Sequence, residues 1–389
     1  MDSKLKILLV EDSEMDADLL IRFLKKVGIE PSFSRVWNKT TFIKSLKENN
    51  YDLIIADHTL PQFSGIEAFR ITKKENKNIP FILVTGTVTE KILTEYAKEG
   101  VDDYILKDNL LRLPSAIEHV ISKKKIELLL KKLKIAYKDI NDSINYAKRI
   151  QNAMLPDVNL LKDSFPDSFL LFKPKDILSG DFYWFKNDEN IFLFAAADCT
   201  GHGIPGALLS MICIEEINNA VLKTKEPFEI LKQLNENIEI ALSQSTIYEN
   251  SMDGMDIAFC SIDKESRILK FAGANRPLWV IRKGRTEIEE IKGSKKEIGG
   301  LTTILNLNFD RHEIRLEKGD TLYIFSDGYV DQFGGENKKK FKKRGFKELL
   351  LNIQDKTMLE QKKYLNIFID NWKSGTEQVD DILIIGIRQ

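Results

Sequence analysis

The first 118 residues alternate short apolar runs with amphipathic stretches. The apolar runs at residues 7–10, 53–56 and 81–84 have the length of buried parallel strands. Helical periodicity between them covers residues 15–27, 39–47, 66–74 and 90–98. A strand–helix repeat of this kind predicts a doubly wound α/β domain, which we assign to residues 1–120. In such a domain, function sits at the carboxyl ends of the strands.

The next segment is rich in lysine and helix formers, and has no glycine or proline from Glu118 to Leu155. Apolar residues recur in alternating steps of four and three over about four heptads, with Gln151 filling one slot. The positions are Ile126, Leu130, Leu133, Tyr137, Ile140, Ile144, Ala147 and Met154. We predict a helical, parallel coiled-coil linker at residues 121–155 that forms a homodimer. A single amphipathic helix packed on its own domain is the alternative.

After Pro156 the pattern changes to many short strands separated by turn signals. Strands are predicted at residues 191–197, 255–262, 268–272, 278–282, 321–325 and 382–387. Two helical stretches, at residues 207–224 and 227–244, interrupt them. We therefore predict an α+β layered domain over residues 156–389.

Composition restricts the class of protein. The 389 residues exceed one ordinary core, and the net charge of -1 gives no electrostatic attraction to nucleic acid or anionic membrane. Neither a signal peptide nor an apolar stretch of membrane-spanning length is visible. The three cysteines are too few for a disulfide framework and lack metal-ligand spacing. We expect a cytoplasmic protein without nucleic-acid or membrane partners.

Polar residues follow the predicted strands of the N-terminal domain. Glu11 and Asp12 follow the first strand, Asp57 and Thr85 follow the other two, and Lys107 follows a further short run at residues 104–106. Because the carboxyl ends of parallel strands meet at one edge, these side chains should converge there. Carboxylates on adjacent strands can hold Mg²⁺, and the metal with Lys107 can neutralise a phosphoryl group arriving on Asp57. The pattern thus predicts phosphoaspartate chemistry.

These residues closely resemble the receiver domain of bacterial response regulators, a flavodoxin-like fold, from residue 5 to about 120. The match extends to Pro61, Gly65, Gly86 and Tyr104. The resemblance implies that Asp57 accepts a phosphoryl group from a histidine kinase, that Thr85 reorients toward it, and that Tyr104 switches rotamer. His58 departs from the small or apolar residue often found beside the phosphoacceptor, which bears only on phosphoryl lifetime.

Four aspartates of the C-terminal half lie at strand ends or glycine turns. They are Asp181 in SGDFYW, Asp198 in ADCTGHG, Asp327 in SDGY and Asp380 in VDDI. Carboxylates collected at strand ends repel one another, so a cation is needed, and an all-oxygen set favours Mg²⁺ or Mn²⁺ over Zn²⁺. Two such ions can activate a water for in-line attack on a phosphoryl group. Asp181 and Asp198 would be shared by the two metals, and Asp327 and Asp380 would complete the second site.

The order of motifs over residues 150–389 is similar to the SpoIIE and RsbU branch of the PP2C-type (PPM) serine/threonine phosphatases. The motifs are SGDFYW, ADCTGHGIPGALLSM, DGMDIAFCSID, FAGANRPLWVI, FSDGYVDQFGG and QVDDILIIGIR. The resemblance implies catalytic, metal-binding roles for Asp181, Asp198, Asp327 and Asp380. It adds the backbone carbonyl of Cys199 as a ligand, with Asp381 as the substitute if the final pair is misaligned by one.

Other residues of these motifs leave more than one interpretation. Gly201, Gly203 and Gly206 fit a tight turn into a helix whose N-terminal amides could face an anion, or a plain loop-to-helix turn. His202 is a candidate general acid, although eukaryotic relatives place their histidine closer to the metal-binding aspartate. Asp253 and Asp256 could approach the site, although a turn entering the next strand is the favoured interpretation, and Asn275 fits a turn as well as the site.

Together the motifs favour a response regulator that dephosphorylates phosphoserine or phosphothreonine proteins, by resemblance a STAS-domain anti-sigma factor antagonist. Phosphorylation of Asp57 would move the coiled coil and order the helices around Asp181 and Asp198; residues 144–156 resemble the segment preceding this phosphatase type in sensor fusions. The alternative is a phosphorylation-controlled scaffold without turnover, which would be free to lose Asp181 or Asp327. A cyclic-dinucleotide synthase is disfavoured because SGDFYW lacks the Glu-Phe ending of GGDEF. A transcription factor is disfavoured by the size and charge of the output region.

Overall fold

The computed structural model describes residues 4–61, 63–75, 78–86, 89–243, 253–299 and 308–389. The chain divides into two compact units, Met1–Asp139 and Ile140–Gln389. The boundary lies inside a single long helix, at a position that differs from the ends of the predicted linker. The division into residues 1–120, 121–155 and 156–389 stays a prediction.

The N-terminal unit is a parallel five-stranded sheet with helices on both faces. Its strands are β1 (Lys6–Val10), β2 (Ser32–Val36), β3 (Leu53–Asp57), the short pair β4 (Thr59–Leu60) and β5 (Phe63–Ser64), β6 (Phe81–Thr85) and β7 (Asp103–Leu106). Its helices are α1 (Glu14–Lys26), α2 (Lys39–Glu48), α3 (Gly65–Lys74), α4 (Glu90–Glu99), a 3-10 segment (Lys107–Arg112) and the beginning of α5 (Leu113–Met154). The order β2-β1-β3-β6-β7 confirms the doubly wound fold.

The sequence dictates this unit through buried strands and capped helices. Every residue of β3 and β6 is buried, which explains their continuous apolar runs. Four helices begin at a residue whose side chain accepts a backbone amide three positions on: Ser13, Asn38, Ser64 and Thr89. Strand β2 was not predicted, because it is an edge strand in which only Val36 is buried.

The C-terminal unit contains two antiparallel sheets. Strands β9 (Asp181–Asp188), β10 (Ile191–Cys199), β11 (Met255–Asp263), β12 (Ile268–Ala274) and β15 (His312–Arg315) form the first sheet, in the order β15-β12-β11-β10-β9. Strands β8 (Ser168–Lys173), β13 (Leu278–Ile281), β14 (Glu289–Ile291), β16 (Thr321–Phe325) and β19 (Ile382–Arg388) form the second, in the order β14-β13-β16-β19-β8. A two-residue pair, β17 (Phe333–Gly334) and β18 (Lys339–Lys340), stands apart. The helices are α6 (Asn159–Ser164), α7 (Gly203–Lys223), α8 (Pro227–Ser243), α9 (Gly328–Asp331), α10 (Lys342–Asn352) and α11 (Met358–Lys373).

The two sheets pack face to face between two layers of helices. Along β10, Phe192 and Phe194 belong to the apolar cluster between the sheets, whereas Leu193 and Ala195 belong to the cluster with α7 and α8. This alternation follows from the period of two along a strand. A third cluster joins the second sheet to α10 and α11. The predicted α+β layered domain is therefore confirmed.

The two predicted helical stretches correspond to α7 and α8, whereas α6, α9, α10 and α11 were not predicted. In α11 the buried face consists of Met358, Gln361, Leu365 and Ile369, and the polar Gln361 disguises the apolar stripe. Helix α7 begins at Gly203, four residues earlier than predicted. The predicted end of the second helix, Gln244, lies outside the described residues.

Helix α5 has two differently exposed parts. Ile126, Leu130, Leu133, Tyr137 and Ile140 are 57–66% exposed. Towards its end, Met154 packs against the core cluster of the first sheet and α7, and Gln151 is buried. The last turns thus pack on their own unit, as in the single-helix alternative, while the earlier apolar stripe lies on the surface. Among the described residues, no helix has both the length and the apolar content that a membrane crossing requires.

Candidate functional site

The parallel register places the ends of β1, β3, β6 and β7 at one edge of the N-terminal sheet. Glu11 and Asp12 follow β1, Asp57 ends β3, Thr85 ends β6 and Lys107 follows β7. Carboxylate oxygens of Glu11, Asp12 and Asp57 lie within 4.8 Å of one another. This oxygen set fits a hard divalent cation. The structure brings all five predicted residues to the same edge.

Lys107 provides a positive charge to this cluster. Its Nζ lies 3.0 Å from Asp57 Oδ2, 3.3 Å from Glu11 Oε2 and 2.6 Å from Asp16 Oδ2. Burial would lower the pKa of Lys107, but hydrogen bonds to Asp16 and Asp57 and the nearby carboxylate charges outweigh burial and raise the pKa. Burial and the charge of Asp57 raise the pKa of Glu11. The sequence did not indicate Asp16, which lies on α1.

Aromatic residues and a glycine surround the phosphoacceptor position. The rings of Tyr104 and Tyr96 lie 6.0 Å apart, and His58 Nδ1 lies 2.7 Å from Tyr96 Oη. A Cβ atom on Gly65 would come within 2.4 Å of the Asp57 carbonyl oxygen, so only glycine lets α3 begin this close to β3. His58, the residue directly after Asp57, thus contacts α4 through Tyr96. The predicted rotamer switch of Tyr104 stays a prediction.

The register of the first sheet in the C-terminal unit aligns three carboxylates in a row. Asp198 on β10 lies directly opposite Asp181 on β9 and Asp256 on β11. Asp327 follows β16 and Asp380 precedes β19, so both come from the second sheet. A pocket of about 220 Å³ is lined by Asp198, Cys199, Thr200, Gly201, His202, Asp256, Arg276, Glu297, Asp327 and Asp380. The four predicted aspartates are thus brought to one region.

Burial and mutual repulsion dominate the electrostatics of this pocket. Asp181 is 2% exposed, and its Oδ2 has no hydrogen-bond partner among the described residues. Burial and the charge of Asp198 raise the pKa of Asp181. Burial also raises the pKa of Asp198 to about 7 despite the opposing charge of Arg276, and raises the pKa of Asp380. A buried carboxylate oxygen without a partner, within an all-oxygen set, fits a hard divalent cation.

Sequence reasoning missed Arg276 and misread Asp256. The Nη2 atom of Arg276 lies 2.5 Å from Asp198 Oδ2, 2.9 Å from Asp327 Oδ2 and 3.3 Å from Asp256 Oδ2. Asp256 belongs to β11 and lines the pocket, so the favoured turn interpretation was wrong and the alternative, an approach to the site, holds. Asn275 does both things considered for it: its φ of +56° marks a turn, and its Nδ2 donates to Asp256 Oδ1 at 2.8 Å. The only sequence signal for Arg276 was one charge inside an apolar motif.

The adjacent acids Asp380 and Asp381 have different surroundings. Asp380 lines the pocket. Asp381 is 2% exposed; its Oδ1 accepts from the Lys175 amide at 2.6 Å and its Oδ2 from the Gly180 amide at 2.8 Å. Asp381 therefore fixes the turn that precedes Asp181. This difference favours Asp380 over its predicted substitute as the residue facing the pocket.

Glycines bring three backbone segments into contact beside these aspartates. Gly201 and Gly203 have φ values of +85° and +66°, which glycine adopts readily. A Cβ atom on Gly180 would lie 2.4 Å from the Gly201 carbonyl oxygen, and one on Gly206 would lie 2.1 Å from the same atom. These glycines thus fix how closely the turn before Asp181 approaches the turn after Asp198.

His202 lies at the rim of the pocket with both ring nitrogens engaged. Its Nδ1 is 2.8 Å from Asp176 Oδ2 and its Nε2 is 3.0 Å from Lys175 Nζ. Because an ammonium group can only donate, the network assigns the proton to Nδ1 and makes Nε2 an acceptor. In this arrangement His202 has no proton to give at Nε2. Its role as a general acid stays a prediction and requires a rearrangement.

Gln151 ties the end of α5 to the aspartate turn. Its Nε2 donates to the Ser179 carbonyl at 2.7 Å and to Ser210 Oγ at 3.0 Å, and its Oε1 accepts from the Ser179 amide at 3.3 Å. Ser210 belongs to α7. Gln151 is therefore used inside its own unit, contrary to its predicted slot in a seam between two helices.

Comparisons with known proteins agree with the two units. The sequence profile of the response regulator receiver domain matches residues 7–118, and that of Stage II sporulation protein E (SpoIIE) matches residues 188–389, over half of the chain. Phosphoserine phosphatase RsbU of Bacillus subtilis is 28% identical over 203 residues, 50% of this chain and 55% of that protein. Transcriptional regulatory protein RprY of Bacteroides fragilis is 33% identical over 107 residues, 28% of this chain and 44% of that protein. The chain thus spans about half of RsbU and smaller shares of the receiver-containing relatives.

A solved structure supports the same assignment. The SiaA-PP2C domain of Pseudomonas aeruginosa is 32% identical, with a TM-score of 0.59, and the match covers 65% of this chain and 98% of that domain. The family predicted from the motifs is confirmed. The chain belongs to the SpoIIE family of PP2C-type serine/threonine phosphatases and joins that domain to a response-regulator receiver domain.

Proposed function

We propose that this chain is a two-component response regulator whose C-terminal unit removes phosphate from phosphoserine or phosphothreonine proteins in a metal-dependent reaction. The observation that carries the proposal is the gathering of Asp181, Asp198, Asp327 and Asp380, from four separate motifs, into one partly buried region. Like charges collected in this way destabilise a fold unless a cation joins them. Arg276 offsets part of this repulsion at Asp198 and Asp327, but the buried Asp181 Oδ2 has no hydrogen-bond partner among the described residues. The convergence therefore has a functional rather than a stabilising explanation.

In the proposed reaction, Asp181, Asp198, Asp327, Asp380 and the Cys199 carbonyl would hold two Mn²⁺ or Mg²⁺ ions. When bound, such ions supply an activated water and polarise a phosphoryl oxygen. The chain itself positions the aspartates. The turn at Gly180, whose amide donates to Asp381, places Asp181 beside the pocket, and the strand register places Asp198 directly opposite Asp181. Burial of these carboxylates keeps bulk water from screening their charge.

In the receiver, we propose that a carboxylate oxygen of Asp57 attacks the phosphorus of a phosphohistidine, whose nitrogen–phosphorus bond breaks. Glu11, Asp12 and Asp57 would hold Mg²⁺, which supplies charge neutralisation at the phosphoryl group. Lys107, already 3.0 Å from Asp57, provides a second positive charge. Thr85 ends the adjacent strand, where its hydroxyl can approach the same group.

We further propose that phosphorylation of Asp57 controls the phosphatase through a homodimeric coiled coil. The exposed apolar stripe of α5 supplies a surface for a second copy of the chain, and Gln151 supplies a contact between that helix and the aspartate turn. The proposed substrate is a phosphorylated STAS-type anti-sigma factor antagonist, as the motif resemblance implies; the similarity to a relative named phosphoserine phosphatase supports a phosphoserine in that substrate. Together with a histidine kinase donor, such partners would place the protein in the cytoplasm.

The activity is tested by Mn²⁺-dependent phosphate release from phosphorylated STAS-domain proteins of the same cell, using the full chain. Asp327→Asn should reduce release to background. Asp331→Asn is the matched control, because Asp331 does not line the pocket and its half-buried side chain is paired with Lys340. Full release by the Asp327 variant would remove that residue from the mechanism. No release by the unaltered protein from any candidate would favour the scaffold.

Regulation is tested separately with acetyl phosphate as a small phosphodonor. Phosphate release is compared with and without the donor, for the unaltered protein and for Asp57→Asn. We expect the donor to change the rate only when Asp57 is present. Equal rates in all four conditions would reject control by the receiver while leaving the phosphatase activity intact.

A further inference from the structure

Arg276 is the central cation of the acidic pocket. Its side chain is 12% exposed, and one terminal nitrogen contacts Asp198, Asp256 and Asp327. Its Nε atom is buried without a hydrogen-bond partner among the described residues. These contacts join aspartates from both sheets, because Asp198 and Asp256 belong to the first and Asp327 follows a strand of the second.

We propose that Arg276 competes with a metal ion for Asp198 and Asp327, and thereby sets the metal affinity of the pocket. This inference rests on the proposed function, which assigns both aspartates to metal binding. The oxygens contacted by Nη2 at 2.5 and 2.9 Å are Oδ2 of these two residues. A divalent ion on the same carboxylates would lie within a few ångströms of the guanidinium, where repulsion between cations is strong. Loading the metal therefore has to overcome a positive charge that the fold already supplies.

The structure also shows why Arg276 stays beside the pocket. Asp256, assigned no ligand role, lies 3.3 Å from Nη2, and Asn275 holds the other oxygen of Asp256 at 2.8 Å. Asp256 faces Asp198 directly across the β10–β11 ladder. When the other two carboxylates turn to a metal, Asp256 still anchors the guanidinium. Arg276 is thus a permanent competitor.

The arrangement of oxygens in the two units supports this inference. Among the described residues, three carboxylates that converge within 4.8 Å occur at Glu11, Asp12 and Asp57 of the receiver, and the C-terminal pocket has no such group. In the pocket, the carboxylates of Asp198, Asp256 and Asp327 are arranged around the guanidinium instead. We therefore expect weaker binding of divalent ions than four aspartates alone would give.

The test measures Mn²⁺ affinity of the full chain from the electron paramagnetic resonance signal of free Mn²⁺, at constant pH. Every protein carries Asp57→Asn, which weakens binding at the receiver. In this background we expect Arg276→Gln to bind Mn²⁺ about tenfold more tightly or better. Arg276→Lys keeps the charge and should stay within about threefold of the background protein. Arg282→Gln is the matched control, because Arg282 also binds two carboxylates, Glu289 and Asp320, but does not line the pocket.

Unchanged or weaker affinity of Arg276→Gln would overturn the inference, as would an equal effect of Arg276→Lys or Arg282→Gln. A variant that is unstable without metal is measured by chelator competition from its Mn²⁺-loaded form. No phosphorylated substrate enters these measurements. A failure of phosphate release therefore leaves the affinity result standing, whereas unchanged affinity with intact Mn²⁺-dependent release rejects only the role of Arg276.

Discussion

Replacing Gln151 by leucine tests whether the end of α5 holds the aspartate turn in place. The leucine side chain is apolar but similar in size to that of glutamine, so the substitution leaves little cavity. It removes the two hydrogen bonds to Ser179 and the one to Ser210. The Ser210 hydroxyl keeps its own bond to the Ala207 carbonyl at 2.8 Å. The loss therefore falls on the amide and the carbonyl of Ser179.

The magnitude follows from the burial of Ser179, which is 1% exposed. A buried backbone group that loses its partner costs about 1–3 kcal/mol, so two such groups cost about 2–6 kcal/mol. For a domain of this size, 1 kcal/mol lowers the unfolding temperature by about 2–4 °C. We expect the unfolding transition of the C-terminal unit to fall by about 4–24 °C.

The assay combines differential scanning calorimetry with hydrogen–deuterium exchange on the full chain. Exchange should accelerate at residues 179–181 and in the first turns of α7, while the receiver serves as internal reference. Asn152→Leu is the matched control, because Asn152 is the next residue of α5 and is exposed. A transition within about 1 °C of the unaltered protein, with unchanged exchange at residues 179–181, would refute the reasoning.

Three further expectations concern the same pocket. The folded-state pKa of Asp198, about 7, lies above its unfolded value, so the metal-free protein should lose stability as pH rises from about 4 to about 7. Over the same range its Mn²⁺ affinity should rise. Urea unfolding measures the stability, and Mn²⁺ titration at several pH values measures the affinity. Gly180→Ala should cost about 1–3 kcal/mol of stability in thermal unfolding and weaken Mn²⁺ binding, because the new Cβ would lie 2.4 Å from the Gly201 carbonyl oxygen. Gly86→Ala is the control and should be neutral, because a Cβ atom there meets no atom within 4 Å. Asp381→Asn should weaken Mn²⁺ binding without removing a ligand, because an amide cannot accept from both backbone groups; unchanged affinity would contradict this.

Local patterns predicted most of the receiver and its active edge. A buried parallel strand has a continuous apolar run, and the polar residue at its end must lie at the functional edge, so Asp57 and Thr85 could be placed from sequence alone. The edge strand β2 escaped because only one of its five residues is buried. Asp16 escaped because its contact with Lys107 depends on the direction of α1, which no local pattern encodes.

In the C-terminal unit the aspartates were recognisable, but their counter-charges were not. Arg276 and Asp198 are separated by 78 positions, and they meet because β10 and β12 both pair with β11 in the first sheet. Asp256 looked like a turn residue because glycine precedes it nearby, yet strand pairing places it opposite Asp198. Gln151 matched a heptad and was misassigned, since periodicity cannot distinguish burial against a partner helix from burial within the same unit.

The acidic pocket takes its members from two different sheets: Asp181, Asp198 and Asp256 are carried by one, Asp327 and Asp380 by the other. No single layer can assemble it, so the site is sensitive to any sliding of one sheet over the other. A shear of even an ångström, driven by pressure, temperature or a ligand far away, would alter the spacing between the two groups of acids. The aromatic side chains packed between the sheets, including Phe192 and Phe194, therefore set the distance between the two groups of acids although they do not line the pocket.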